Sequence, residues 1–136
     1  MELVAVLLIM AVLAIVVVPR FWSSGFDESR LYSETAAALR FAQKSALAMQ
    51  RTVCVTFSAT TVTLSYDSNY ATAVCNTPLV APDGGAYVVN AGGGTTLGAA
   101  SFTYDRTGRP SAGQTITVSG GRQIFVEAVS GYVRTQ

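Results

Sequence analysis

The stretch ELVAVLLIMAVLAIVVVPRF, residues 2–21, sets one carboxylate at the head of sixteen unbroken apolar residues, Leu3 to Val18, and closes on a proline, a base and an aromatic ring. A helix packed in a globular core keeps a polar stripe over that length, and this one has none. A secretory signal carries basic residues ahead of its apolar stretch and small residues at a cleavage site behind it. Here Glu2 precedes the run, and Pro19, Arg20, Phe21 and Trp22 follow it. A bilayer-spanning helix needs about 20 apolar residues, so the run is slightly short and reaches its length with Phe21 and Trp22 as interfacial anchors. Residues 1–22 therefore read as a membrane-spanning helix, and residues 23–136 as one globular domain.

Working outward, the composition changes at SSGFDES, residues 23–29, where Gly25 and the serines predict a hinge or helix break. From Asp27 to about Arg51, Leu31, Thr35, Ala38, Ala42, Ala46 and Met49 recur at helical spacing, with Arg30, Glu34, Arg40 and Lys44 mostly off that stripe. This is an amphipathic helix with a narrow, small-residue face, on which a sheet packs closely. After Arg51 the period becomes two. TVCVTFSATTVTLSYD, residues 52–67, predicts a hairpin, with Val53, Val55 and Phe57 on one face, Val62, Leu64 and Tyr66 on the next strand, and a turn near Ala59 and Thr60. Further strands are expected at AYVVN, SFTYD, TITVS, QIFVEA and GYVR, separated by turns such as PDGG and GRPSAGQ. The fold class is α+β: a long N-terminal helix, membrane-spanning in its first half and amphipathic in its second, packed on an antiparallel β-sheet.

The chain of 136 residues has a net charge of +1, with 12% charged residues and no histidine. Near-neutrality gives no bulk attraction to nucleic acid, and the missing histidines remove the usual general base and the commonest metal ligand. The glycine-rich NAGGGTTLG, residues 90–98, lacks the Lys-Ser/Thr pair that would reach a nucleotide phosphate, and reads as a flexible loop. No serine has a lysine three positions on, and Asp105 and Glu127 have nothing nearby in sequence to tune them as a catalytic pair. No enzyme, cofactor or metal site is expected.

The N-terminal stretch, from Glu2 through Phe21, resembles the type IV pilins and pseudopilins. In that family a basic leader, a glycine and a cleavage point precede a few apolar residues, a glutamate, and a long apolar helix interrupted by a proline. The resemblance implies that Glu2 faces the N-terminal amine of a neighbouring subunit, so that a carboxylate costly alone in hydrocarbon becomes part of a pair on assembly. It also implies that Pro19, lacking a backbone donor, gives the helix a place to bend as the subunit leaves the membrane. The alternative for Glu2 is a carboxylate resting in interfacial water, favoured by the helix dipole. A leader and cleavage glycine are expected upstream of Met1, because Arg20 alone would orient the helix wrongly, the alternative being a segment that has lost its processing site.

A second resemblance covers ALRFAQKSALAMQRTVCVTF, residues 38–57, and SFTYDRTGRPSAGQTITVSGGRQIFVEAVSGYVR, residues 101–134. These are similar to the GspH/FimT group of minor pilins and pseudopilins, with GFDES, LRFAQKSALA and VCVTF nearest to the MSHA type. The resemblance implies a non-catalytic filament subunit. It would sit in bacterial inner-membrane lipid with its C-terminal domain in the periplasm, be processed by prepilin peptidase, and enter a pilus or secretion pseudopilus through an inner-membrane assembly platform beside other pilin subunits.

An exported domain occupies an oxidising compartment, where an even cysteine count favours a disulfide between Cys54 and Cys75, two free thiols being the alternative. Some FimT-branch members bind DNA through C-terminal arginines. Arg106, Arg109, Arg122 and Arg134 stand against Asp105 and Glu127 between Ser101 and Gln136, a net +2. Arg134 matches the last arginine of that motif, and Tyr132 stands where the branch has another. DNA uptake is therefore the alternative function, and a solvated face is the alternative for the patch.

Overall fold

A computed structural model describes residues 2–70 and 74–136, with the side chains of residue 2 and of 14–24 outside the description. One helix, α1 (Glu2–Met49), leads into nine short strands: β1 (Val53–Phe57), β2 (Thr61–Tyr66), β3 (Thr77–Pro78), β4 (Val88–Asn90), β5 (Leu97–Gly98), β6 (Phe102–Tyr104), β7 (Gln114–Val118), β8 (Gln123–Val126) and β9 (Val133–Thr135). The expected break at SSGFDES does not occur: α1 runs through Pro19 and Gly25 without interruption. A single helical glycine costs only about 1 kcal/mol, which a helix of this length absorbs through its continuous hydrogen-bond ladder. The helix thus continues across residues 22 and 23.

Past Leu31 the small-residue stripe does what its spacing predicts. Leu31, Thr35, Ala38, Ala42 and Ala46 are buried, joined by Ala36 and Leu39, while Met49 is half-buried. The helix ends in a Schellman-type cap: Gln50 takes a left-handed φ of 54°, and the Arg51 N–H donates to the Ala46 carbonyl at 3.2 Å. The Gln50 side chain adds a bond to the Leu47 carbonyl at 2.9 Å. Ser58 then organises the β1–β2 turn, its N–H bonding the Thr61 carbonyl at 2.8 Å while its hydroxyl accepts from the N–H groups of Thr60 and Thr61.

The strands form two antiparallel sheets rather than one. The first runs β3-β2-β1-β6, with β4 also on β2; the second runs β5-β7-β8-β9. The expected strands are all present, and two short ones, β3 and β5, were not foreseen; β5 lies in the glycine-rich segment read as a flexible loop. That segment is a defined turn in which Gly93 and Gly94 take φ of 60° and 76° and Thr95 is buried with its hydroxyl on the Gly92 carbonyl at 2.6 Å. Val53, Val55, Val62, Leu64, Val89, Phe102 and Tyr104 from the first sheet and Ile116, Val118, Ile124, Val126 and Val133 from the second bury the α1 stripe. Among the described residues no helix is long and apolar enough to cross a membrane.

Candidate functional site

Two surfaces matter for what this chain can do. The first is the opening of α1. From Leu3 to Leu13 every residue is exposed, Val6 by 53% and Leu3 by 73%, and the two-sheet domain covers none of them. So large an apolar surface has a price in water that only another apolar phase or another chain removes. Glu2 and Pro19 are placed on α1 by their backbone, and their side chains lie outside the described residues. Among the described residues nothing lies within 4 Å of where a Cβ would stand on Gly25.

The second surface is the seam between α1 and the hairpin turns. Gln43 Nε2 donates to the carbonyls of Gly108 at 3.1 Å and Ser130 at 2.8 Å, joining the β6–β7 and β8–β9 connections to the helix. Gly131, at φ 69°, has no room for a Cβ, which would meet the Gly108 carbonyl and the Gln43 amide. Further toward the N-terminus of α1, Arg122 stands 3.9 Å from Glu28 and 5.3 Å from the centre of the Tyr32 ring, and Gly120 leaves space for the Glu28 carboxylate. The Tyr32 hydroxyl donates to the Gln136 carbonyl at 3.0 Å. Sequence reading missed Gln43 and Gly131, since neither a lone glutamine beside a helical stripe nor one more turn glycine announces a seam.

The C-terminal arginines divide along this seam. Arg106 and Arg109 share the turn Asp105–Pro110, and Arg109 is held by its backbone: the Asp105 Oδ1 accepts from the N–H groups of Thr107 at 2.8 Å and Arg109 at 2.9 Å, and from the Thr107 hydroxyl at 2.7 Å. Burial pushes the Asp105 carboxyl up, and these bonds, with the Arg109 charge, outweigh it and hold the group below its ordinary value. Arg122 sits beside Glu28, roughly fifteen helix residues from Gln43, or about 22 Å. Arg134 lies over the Phe125 ring at 5.1 Å, on the face of the second sheet away from its buried side chains. The structure therefore brings Arg106 and Arg109 together and seats Arg122 and Arg134 on other elements.

The Cys54–Cys75 disulfide forms, with Cα atoms 6.0 Å apart. It closes on the outer face of the first sheet, since Val53 and Val55 on either side of Cys54 point to the core. Arg51 clasps the same loop, donating to the Ser68 carbonyl at 2.8 Å and lying 4.1 Å over the Tyr70 ring. Burial raises the pKa of the Tyr104 hydroxyl, which has no hydrogen-bond partner among the described residues. Among the described residues no cluster of His, Cys, Asp or Glu could hold a metal ion.

No family model matches the chain, and no curated protein sequence matches it. Among solved structures it is similar to the type IV minor pilin FimU of Pseudomonas aeruginosa in two crystal forms. One gives a TM-score of 0.61 at 11% identity, over 85% of this chain and 92% of that one. The other gives 0.58 at 12%, over 79% and 91%. At those identities the likeness is one of fold, and the chain has an α+β, pilin-like fold.

Proposed function

We propose that this chain is a non-enzymatic minor pilin or pseudopilin subunit of the GspH/FimT kind, working in an MSHA-like type IV pilus or a type II secretion filament. The observation that carries the reading is the division of α1: an exposed, wholly apolar opening continuous with a half that is buried in its own domain. A helix built this way holds its domain at one end and offers the other to lipid, and then to neighbouring subunits. Residues 1–22 serve as the single inner-membrane span and polymerisation helix, and residues 23–136 as the periplasmic domain. Prepilin peptidase and the inner-membrane assembly platform are the partners this route requires. Glu2 pairs with a neighbour's N-terminal amine, and Pro19 lets the helix bend on extraction.

The test is Glu2→Ala, scored for membrane insertion and filament incorporation separately. Removing a carboxylate from hydrocarbon should leave insertion equal or better while incorporation falls by about tenfold or more. Normal incorporation of this variant would sink the proposed role of Glu2. The DNA-uptake alternative has less support, because Arg122 already faces Glu28 and Arg134 already rests on Phe125.

A further inference from the structure

The outer edge of β4 faces a cleft of about 410 Å³ whose opposite wall is α1 at Arg30, Glu34 and Ala37. Pairing with β2 runs through alternate residues: the Tyr87 carbonyl accepts from the Leu64 N–H at 3.1 Å, the Ala91 N–H donates to the Thr60 carbonyl at 2.8 Å, and Val89 stands opposite Val62 between them. Antiparallel pairing alternates, so the main-chain N–H and C=O groups of Val88 and Asn90 point away from β2 and into the cleft. Among the described residues β4 pairs with β2 alone, and no other strand lies along its outer edge. Proteins commonly guard such an edge with a charge, a proline or a bulge, and the Val-Val-Asn of β4 supplies none of these.

The cleft also carries an unbalanced charge. Arg30 and Glu34 are paired at 2.7 Å, whereas among the described residues Asp83 at the rim is met only by the Gly85 N–H at 3.1 Å. Tyr87, stacked on Phe41 with ring centres 5.0 Å apart, forms a firm apolar floor. Burial, and then the Glu34 charge, raise the pKa of its hydroxyl, which stays neutral.

We propose that this edge is a docking site for an extended segment of a partner polypeptide, which adds as a strand beside β4 and places a lysine or arginine against Asp83. Two donors and two acceptors at strand spacing match an extended backbone, and Asp83 selects a basic side chain on it. This inference stands on the edge geometry and the Asp83 charge and is independent of the subunit reading above.

The test is selection from a random library of displayed peptides about seven residues long against the full chain in detergent micelles, compared with Asn90→Pro and Asp83→Lys. Proline at residue 90 removes an outward N–H that β2 does not use, a replacement edge strands tolerate. Asp83→Lys reverses the rim charge on an exposed turn and keeps the test valid where the proline variant fails to fold. Selected peptides should carry Lys or Arg and bind the unaltered chain about tenfold more tightly than either variant, and N-methylation of their alternate amides should weaken them equally. Failure to select such peptides, indifference to N-methylation, a preference for acidic peptides, or occupation of the edge by a second copy of this chain would each overturn the proposal.

Discussion

The two ends of α1 are made of the same secondary structure and meet opposite fates. Leu3–Leu13 is apolar on every side and exposed on every side, while Leu31, Thr35, Ala38, Leu39, Ala42 and Ala46 are a narrow stripe that two sheets bury. The more hydrophobic segment is the one the domain leaves uncovered. Burial within a single chain follows patterning, since a stripe of alanines lets strands approach a helix, whereas a helix apolar all round needs an apolar surrounding that this domain is too small to supply.

The largest effect should come from trading one leucine in each region. Leu39→Ala opens a cavity in the buried seam and should cost about 2–5 kcal/mol of domain stability. Leu8→Ala, in the exposed region, should change it by no more than about 0.5 kcal/mol. Denaturant unfolding of the full chain in micelles, followed by tyrosine fluorescence, measures both. Equal losses would mean that the domain folds back on the opening of α1, and the contrast between the regions would fail.

A smaller effect asks whether the domain stands by packing alone. The Cys54–Cys75 bridge spans a sequence separation of 21 and lies on the outer sheet face, so reducing it leaves the core intact and frees the unfolded chain. The expected loss is about 3 kcal/mol in the chain-entropy account. A loss below about 1 kcal/mol would show that Arg51, through Ser68 and Tyr70, already holds the loop without the bridge.

Legibility in the sequence follows the same division. The helical stripe, the hairpin at residues 52–67 and the five later strands were readable because period and turn residues are local signals. The split into two sheets was not, because which strands pair is decided by contacts far apart in sequence, such as β1 with β6 and β5 with β7. The unbroken passage through Gly25 is hidden for a different reason: a glycine is a local stop signal of only about 1 kcal/mol, and the rest of the helix outweighs it. The arginines were found by residue type, but only the fold shows that Glu28, Phe125 and the Asp105 turn distribute them. Gln43 and the β4 edge carried no signal at all, since a seam and a free edge exist only once the elements are placed.

The smallest expected effect concerns acid, and it discriminates between the regions because no titratable side chain lies between Leu3 and Leu13. Asp105 holds its turn through hydrogen bonds to its ionised carboxylate, and its folded pKa lies below the ordinary value of 3.8. A depressed carboxylate contributes stability that is complete above the ordinary value and is lost as pH falls through the folded one. The turn that seats Gln43 through Gly108 should therefore loosen only below about pH 4. Hydrogen exchange at the Thr107 and Arg109 amides reads this directly: corrected for the intrinsic pH dependence, their protection should fall on acidification. Asp105→Asn keeps an accepting oxygen without the charge, so its protection should be lower at neutral pH and flat in the acid range. If the unaltered chain is equally flat, the turn is held by its backbone bonds from Asp105 to Arg109 and Gly108, and the carboxylate contributes nothing to the seam.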